Sequence, residues 1–314
     1  MDIFGYYIPI ELIFILCAVF GVLIICSSIF GIISRKNKSD SISELVVRTN
    51  SWWKMAIGIT VVATAPAIIG TIVLAYVVFV ALREMLSIIP LRTADRTVLV
   101  ASYIAIPIQF YLAYKNYYYL FQIFIPLVMF ISISVILVLT GETNRIGRSM
   151  AIIPTTLMLT VYMPSHMVLL FHVSVPGFTV GAGGLIIFLI MITAFNDIFQ
   201  FTWGKLLGKR KILPRISPNK TWVGFIGGVF TSGVLGGALS FLTPLDYINC
   251  FYIGLSLSII GFIGDSIISA VKRDLKIKDT DDLIPGHGGA MDRLDSIVLT
   301  TPTFYHLLIF FIEN

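Results

Sequence analysis

The stretch MAIGITVVATAPAIIGTIVLAYVVFVALREMLSII, residues 55–89, is apolar until its last turns. A single helix of this length rises about 1.5 Å per residue and is longer than the hydrocarbon core of a bilayer, which is about 30 Å thick. The stretch therefore forms either one long tilted helix or two shorter helices that break near Pro66 and Gly70. The charged residues on either side decide between these two arrangements.

Cytoplasmic loops of membrane proteins collect lysine and arginine. If residues 55–89 form two segments, all of the 22 basic residues except Lys115 lie on one side of the membrane. With one segment, the basic residues of 34–54 fall on the opposite side from the rest. We therefore favour ten segments over nine, with both termini outside the cytoplasm. The other segments are expected at 10–33, 97–113, 117–139, 151–172, 184–201, 222–242, 250–271 and 294–312.

The composition of the chain indicates a membrane protein. Of its 314 residues, 57% are hydrophobic and 12% are charged, and the mean hydropathy is +0.93. Soluble domains carry about 25% charged residues, so a water-soluble core would not hide this much apolar surface. The first apolar run is too long for a cleaved signal peptide and ends in the basic segment SRKNKSD, which is typical of a membrane anchor. We predict an all-α polytopic transmembrane helical bundle of about nine to ten segments, with no nucleic-acid partner.

Polar residues concentrate in the last third of the chain, in two loops between apolar segments. The first loop, 202–221, is strongly basic, and the second, 272–293, contains both acids and bases. We expect an N-terminal multi-span membrane region over 1–183 and a C-terminal catalytic membrane region over 184–314. A basic loop beside a membrane is also what orientation alone requires. The functional prediction therefore rests on the acidic residues.

The segment before the second loop carries an ionisable group inside the membrane. Asp265 and Ser269 share one helix face with Lys272 and Arg273. Asp265 lies roughly 10 Å inside the membrane end of that helix. An ionisable residue at this depth is costly and is by default a functional candidate.

Asp292 and Asp295 lie on one face at the start of the last segment. Carboxylates on neighbouring helix ends can converge on Mg²⁺, which favours carboxylate oxygens, water and substrate phosphate. The glycines of PGHGG, 285–289, permit positive φ and a close approach of the backbone to a ligand. Neighbouring lysine and arginine side chains supply counter-charge for phosphates.

The first loop follows a similar logic. The sequence SPNKTW places Ser217, Lys220 and Thr221 at the start of a helix. Hydroxyl groups cap helices at this position, and the helix N-terminus favours anions. Asp197, near the end of its own segment, is a further buried-acid candidate.

The motif SAVKRDLKIKDTDDLIPGHGGAMDRLD, Ser269 to Asp295, resembles the signature of the CDP-diacylglycerol synthase (phosphatidate cytidylyltransferase) family. That signature reads S-x-x-K-R, a spaced K-D and then P-G-H-G-G-x-x-D-R-x-D, and every position is met. The stretches SPNKTW and NDIFQFTWGKLLGK are similar to two further parts of the family pattern. The clear resemblance covers about residues 190–300. Val223 and Ile268 depart from the pattern, because the family commonly has acidic residues there.

The resemblance implies that CTP and phosphatidate react to give CDP-diacylglycerol and pyrophosphate, with Mg²⁺ and a nearby K⁺ as cofactors, in a homodimer. The implied catalytic residues are Asp265, Lys272, Arg273, Asp279, His287, Asp292 and Asp295. The implied substrate-binding residues are Ser217, Lys220, Thr221, Lys278, Gly288, Gly289 and Arg293. The implied metal ligands are Asp197, Asp265, Ser269, Asp292 and Asp295. We expect an integral protein of a bacterial plasma membrane whose active site faces the cytoplasm.

Three other functions stay open at this point. A transporter would need ionisable residues near mid-membrane in paired repeats, whereas the charges here gather at one face. A related CTP-dependent enzyme acting on another lipid phosphate or on a polyprenol would differ in its acceptor and in whether the product keeps CMP. An inactive scaffold descended from the enzyme would explain Val223 and Ile268, but the acidic residues of the motif argue against it.

Overall fold

The computed structural model describes residues 2–3, 6–36, 40–281 and 288–314, and most of them are helical. In chain order the helices are α1 (Ile10–Lys36), α2 (Asp40–Thr64), α3 (Ala67–Ile88), α4 (Arg96–Tyr114), α5 (Tyr118–Ile123), α6 (Phe130–Leu139), α7 (Ile146–Leu157), α8 (Met163–Leu169), α9 (Gly181–Leu207), α10 (Trp222–Ala238), α11 (Tyr247–Asp274), α12 (Met291–Leu294) and α13 (Ile297–Glu313). In these described ranges the β-structure consists of two antiparallel hairpins. They pair β1 (Asp2–Ile3) with β2 (Tyr6–Tyr7) and β3 (Lys211–Leu213) with β4 (Ser217–Thr221).

Eight segments in the described part of the chain are long and apolar enough to cross a membrane. They are Ile10–Ser34, Ala67–Ile88, Thr93–Tyr114, Tyr118–Leu139, Ile146–His172, Gly181–Leu207, Tyr247–Asp274 and Met291–Glu313. The two remaining expected segments correspond to α2 and α10. They are not among the eight, because the first half of α2 is polar and α10 has only 17 residues. The protein is an integral membrane protein with a polytopic helical bundle, which confirms the predicted fold class.

The apolar stretch 55–89 is divided between α2 and α3, as the expected break at Pro66 requires. α2 ends at Thr64 and α3 begins at Ala67, and Pro66 itself has an extended backbone with φ −51° and ψ 145°. Proline lacks the N–H that a continuing helix would donate, and it disfavours helical geometry in the residue before it. Gly70, the other candidate for the break, lies inside α3.

The helices before both polar loops continue into the ranges where the loops are expected. Residues 202–207 extend α9, and the hairpin that follows pairs Lys211 with Thr221 and Leu213 with Ser217. The expected loop 202–221 therefore contains the end of α9 and the hairpin. Residues 272–274 belong to α11, and α12 begins at Met291, so the expected loop 272–293 contains helical residues at both ends. The extent of each loop outside the membrane stays a prediction. A continuing helix satisfies its own backbone hydrogen bonds, which favours its extension.

α10 packs along both α9 and α11 and holds these helices close together. A Cβ atom added at Gly228 would lie 2.3 Å from Cγ of Gln200, and one at Gly236 would lie 2.4 Å from the carbonyl oxygen of Cys250. Helices in a membrane associate through such small-residue contacts, because lipid supplies no hydrophobic drive between them. The glycines of α10 therefore set the spacing of the three helices.

A buried side-chain amide fixes how α9, α10 and α11 are rotated about their own axes. Asn196 of α9 is fully buried, and its Oδ1 accepts hydrogen bonds from Ser258 of α11 and, at 3.4 Å, from Ser232 of α10. Gln200, one turn further along α9, donates to the same oxygen at 2.8 Å. An unsatisfied amide in this environment would be costly, so the network specifies one alignment of the helices.

An apolar cluster connects α3 with α11 and the last membrane segment. It contains Ala81, Met85, Ile89, Ile268, Met291 and Val298. Ile268 is 1% exposed, so an acidic residue at this position would be buried among apolar side chains. The departure of Ile268 from the family pattern therefore fills a core position. The cluster also joins residues on both sides of position 183, and the expected division of the chain there stays a prediction.

Candidate active site

Three acidic side chains from three different segments face one another. Asp197 comes from α9, Asp265 from α11, and Asp295 from the junction of α12 and α13. The carboxyl groups of Asp197 and Asp265 both interact electrostatically with Asp295. Ser296 helps to place two of them, since its backbone N–H donates to Asp295 at 2.8 Å and its hydroxyl donates to Asp197 at 3.4 Å. We call Asp197, Asp265 and Asp295 the acidic cluster.

Lys220 supplies a positive charge to the acidic cluster. Its Nζ lies 2.7 Å from Oδ2 of Asp265, and it also lies 4.2 Å from the centre of the Phe262 ring. The hydroxyl of Ser269 donates to the other oxygen of Asp265 at 3.0 Å. The expected helix-face pair of Asp265 and Ser269 is therefore formed, and the hairpin brings Lys220 to it from another part of the chain.

The position of Lys220 follows from the helix start beside it. Thr221 is the N-cap of α10, and its Oγ1 accepts a hydrogen bond from the backbone N–H of Gly224 at 3.1 Å. This is the capping role expected from SPNKTW. Because Thr221 is buried and belongs to β4 as well, the strand and the helix meet at a fixed point. Lys220 is thereby directed at α11.

Asp292 lies one turn before Asp295 and is surrounded by protein donors. Its Oδ1 accepts a hydrogen bond from Lys272 Nζ at 2.7 Å, in an ion pair of two buried residues. Its Oδ2 accepts from the backbone N–H groups of Thr280 at 2.8 Å and Gly289 at 3.0 Å, and from the Thr280 hydroxyl at 3.0 Å. As a metal ligand Asp292 stays a prediction, and ligation would require these donors to move. In this arrangement Asp292 connects Thr280 and Gly289 of the signature motif with Lys272 of α11.

Glu84 is a residue of this site that sequence reasoning missed. It lies on α3, is 1% exposed, and accepts hydrogen bonds from the backbone N–H groups of Ala290 at 2.8 Å and Met291 at 3.0 Å. Its Oε2 also accepts from the Thr280 hydroxyl at 3.3 Å. Glu84 therefore caps the start of α12, as an acidic side chain at a helix N-terminus does. The available signal was an acid inside an apolar segment, which is expensive without a role.

The paired glycines of the signature are required by the two carboxylates beside them. A Cβ at Gly289 would lie 2.4 Å from both Glu84 Oε2 and Thr280 Oγ1. Gly288 has φ +79°, and a Cβ there would lie 2.6 Å from Asp292 Oδ2. Side chains are excluded at both positions, so the backbone can approach the carboxylates. The glycines thus serve protein contacts here, while the substrate contacts expected of them stay a prediction.

Arg293 is a further basic residue near the acidic cluster. It interacts electrostatically with Asp197, and its Nε is buried with no hydrogen-bond partner among the described residues. A buried guanidinium nitrogen without a partner is unusual, and guanidinium groups are well suited to phosphate oxygens. This atom is a candidate for contact with an anionic substrate.

The other predicted site residues lie outside this group. Lys278 and Asp279 are exposed, and Ser217 lies at the opposite end of β4 from Lys220. Arg273 is exposed and donates hydrogen bonds to the carbonyl oxygens of Ile216 at 3.3 Å and Ile277 at 3.1 Å. Arg273 therefore joins the hairpin to the segment after α11. His287 lies outside the described residues.

The acidic cluster brings three carboxylates together, and cation binding by them stays a prediction. In the described ranges, no group of three or more His, Cys, Asp or Glu side chains is arranged to hold a metal ion by itself. Mg²⁺ commonly takes only one or two carboxylates from a protein and fills its shell with water and phosphate oxygens. Mutually repelling carboxylates with a lysine at one edge fit this second type of site.

A sequence model of the cytidylyltransferase family matches residues 46–311. The chain belongs to the cytidylyltransferase family. This membership places it among the nucleotidyltransferases and confirms the resemblance that the signature motif indicated. The match includes the acidic cluster, Lys220 and Glu84.

Some relatives match nearly the whole chain, and others match only part of it. The uncharacterized protein YnbB of Escherichia coli K12 is 35% identical over 268 residues, which are 84% of this chain and 87% of that protein. The phosphatidate cytidylyltransferases of Bacillus subtilis and Rickettsia bellii are 43% and 41% identical over 118 and 120 residues. These matches cover 37% and 35% of this chain and 44% and 52% of the two enzymes. The chain therefore matches about half the length of these two enzymes.

Proposed function

We propose that the protein is a phosphatidate cytidylyltransferase that condenses CTP with phosphatidate to give CDP-diacylglycerol and pyrophosphate. The observation that carries the proposal is the acidic cluster, with Lys220 2.7 Å from Asp265 and with Arg293 Nε, which has no hydrogen-bond partner in the described part of the chain, beside it. Nucleotidyl transfer needs charge neutralisation and in-line positioning of phosphates more than acid–base chemistry. The site offers carboxylate side chains for a cation and positively charged side chains for phosphate oxygens.

In the proposed reaction, a phosphate oxygen of phosphatidate attacks the α-phosphorus of CTP. The bond between this phosphorus and the bridging oxygen to the β-phosphate breaks, and pyrophosphate leaves with that oxygen. A phosphomonoester has a second pKa of about 6, so the attacking oxygen is largely ionised near pH 7 and needs no strong base. Lys220 and Arg293 would hold the phosphates in line. A role for His287 in orienting a phosphate stays a prediction.

Asp265 and Asp295, with Asp197 beside them, would hold Mg²⁺, and the hydroxyl of Ser269 would keep Asp265 oriented. When bound, the cation supplies charge neutralisation for the phosphate oxygens. Lys272 and Asp292 would keep the signature loop in place, so their part in the reaction would be to position other groups. The K⁺ and the homodimer expected from the resemblance stay predictions, and light scattering of the purified protein in detergent would measure the oligomer.

We further propose a bacterial plasma membrane as the location, with the acidic cluster facing the cytoplasm. The basic hairpin and the polar segment after α11 frame the cluster, and cytoplasmic loops are enriched in such residues. CTP would reach the site from the water, and the lipid would reach it from the membrane. The cluster would lie inside the membrane below these helix ends, within reach of both substrates.

A product assay tests the reaction. The purified protein receives labelled CTP, Mg²⁺ and phosphatidate, and labelled CDP-diacylglycerol and pyrophosphate are measured. We expect product from the native protein, at least about a hundredfold less from Asp265→Asn, and native rates from Asp274→Asn, whose exposed carboxylate ends the same helix. A folded native protein that forms no product with phosphatidate would contradict the proposal.

The second candidate is a CTP-dependent enzyme with another lipid phosphate or a polyprenol as acceptor. The observation that favours it is the division among relatives, because the phosphatidate enzymes match over little more than a third of this chain. The same assay with a panel of lipid phosphates and polyprenols separates the two candidates. A product that carries CMP from another acceptor, and none from phosphatidate, would select this second function.

A further inference from the structure

A cavity of about 600 Å³ lies between α1, α2 and α9, on the side of α9 away from α11. Such a volume is within the range of small-ligand sites. α9 contributes Ile187, Ile190, Met191, Ala194, Phe195 and Ile198 to its wall. These positions recur with the helical period, so one whole stripe of α9 faces the cavity. α1 and α2 add further aliphatic and aromatic side chains, and the wall is almost entirely apolar.

The three helices are in register at the far end of the cavity. A Cβ at Gly183 of α9 would lie 2.3 Å from the carbonyl oxygen of Ala63 in α2 and 2.9 Å from Leu12 Cδ2 in α1. All three residues therefore meet at one level. A hydrogen bond of 2.8 Å from Trp53 Nε1 to Ser27 Oγ also joins α1 and α2. The cavity is thus framed by helices with a defined alignment.

Counting from that level locates the other end of the cavity. Fifteen residues along α9 from Gly183 is Ile198, and fifteen residues back along α2 from Ala63 is Arg48, which is a distance of about 22 Å in each case. Both Ile198 and Arg48 line the cavity, and Arg48 is exposed. Ile198 directly follows Asp197 in the chain. The cavity is therefore a long apolar slot whose basic end lies level with the acidic cluster.

We propose that this slot binds one acyl chain of the lipid phosphate substrate, with Arg48 at the level of its phosphate. The slot has the length and the apolar wall that a long acyl chain needs. Burial of each CH₂ group of the chain favours binding. Arg48 complements the negative charge of the headgroup, and α9 connects the slot to Asp197. The inference rests on the proposed function, because it assigns the lipid of that reaction to a specific place.

Photo-crosslinking tests the binding without turnover. The native protein is reconstituted in phosphatidylcholine vesicles with a phosphatidate that carries a diazirine near the end of one acyl chain, and the labelled peptides are mapped. We expect labels on slot residues of α1, α2 and α9 and competition by unlabelled phosphatidate. Labels spread over the outer faces of the bundle, or labelling of the slot that phosphatidate does not reduce, would overturn the proposal.

A matched pair of variants tests the slot in catalysis. Ala18→Phe fills the slot from α1, and Cys17→Phe places the same side chain on the exposed face of the same helix. We expect Ala18→Phe to raise the KM for long-chain phosphatidate at least about tenfold, since several CH₂ groups lose their site. The KM values for dihexanoyl phosphatidate and for CTP should stay native, as should every value for Cys17→Phe. Equal KM values for long-chain lipid in both variants would contradict the slot.

The two experiments separate this inference from the reaction itself. Specific crosslinking in the slot with no CDP-lipid product would support the slot and contradict the proposed reaction. Product formation with crosslinks outside the slot would support the reaction and overturn the slot. Native activity of Ala18→Phe on dihexanoyl phosphatidate shows that this variant is folded.

Discussion

Glu84 and Asp292 show how single carboxylates organise the signature motif. Both accept hydrogen bonds from backbone N–H groups around the paired glycines, and both accept from the Thr280 hydroxyl. Their oxygens are therefore engaged by the protein, whereas the acidic cluster has Lys220 as a close ion-pair partner. Acids in the same small region thus divide into those that bind the backbone of the motif and those that we propose to face a ligand.

Glu84→Gln should destabilise the motif. The amide keeps one acceptor oxygen but loses the charge and presents an NH₂ group to the backbone donors of Ala290 and Met291. We expect the free energy of unfolding to fall by about 1–3 kcal/mol. Thermal unfolding in detergent measures this change. Arg83→Gln, at the exposed neighbouring position, is the control and should unfold like the native protein.

The ion pair of Lys272 and Asp292 should be non-additive under mutation. Asp292→Asn leaves the buried Lys272 ammonium without a counter-charge, and we expect a loss of about 3–5 kcal/mol in the free energy of unfolding. The double variant Lys272→Met with Asp292→Asn should recover part of this loss, because the buried charge is gone. A double variant as unstable as the sum of both singles would show that the pair is not coupled.

At the scale of elements, α10 and its hairpin connect helix packing with the site. α10 is short and rich in glycine, lies between α9 and α11, and begins two residues after Lys220. The N-cap of the helix and the last residue of β4 are the same residue, Thr221. A change in the start of α10 should therefore move Lys220 relative to the acidic cluster.

Thr221→Ala should weaken both the helix start and the site. The variant loses the hydrogen bond from Gly224 N–H, and the loss of an N-cap costs about 1 kcal/mol. We expect a lower unfolding temperature and a higher KM for CTP, since Lys220 loses its fixed position. Thr221→Ser keeps the capping oxygen and is the matched control. Native kinetics in the alanine variant would show that Lys220 is positioned without the cap.

At the scale of the whole molecule, the distribution of basic residues and the helix ends specify an orientation. Lys115 follows α4, and Lys209 follows α9, so both lie at exposed helix ends. From the positive-inside rule we predict that Lys209 and the helix ends nearest the acidic cluster face the cytoplasm and that Lys115 lies on the opposite side. The proposed reaction requires this orientation, because CTP would reach the site from the cytoplasm.

Cysteine labelling measures this orientation. In a background with Cys17, Cys26 and Cys250 replaced by alanine, a single cysteine is placed by Lys115→Cys or Lys209→Cys. We expect a membrane-impermeant maleimide to label Lys115→Cys in intact cells and Lys209→Cys only after the membrane is opened. The reverse pattern would place the site outside the cytoplasm and remove its supply of CTP.

Features that depend on local chemistry can be predicted from the sequence. Composition required a membrane protein, since so much apolar surface has no place in a soluble core. Pro66 required the break between α2 and α3, because it has no N–H to donate. The hydroxyl before α10 predicted its cap, and the spacing of Asp265 and Ser269 predicted their shared face. The ends of α9 and α11 were predicted less well, because they depend on tertiary contacts, which the hydrophobic periodicity of the sequence does not reveal.

Which acids lie together depends on how the helices pack. Asp292 and Asp295 lie on one helix face, yet the first pairs with Lys272 and the second joins Asp197 and Asp265. Glu84 reaches Ala290 across 206 positions of the chain, and no local pattern predicts such a contact. The physical reason is that carboxylates in a membrane take the nearest donors or cations that the packing provides. The packing of α3, α9, α10 and α11 around the last segment therefore determined the site.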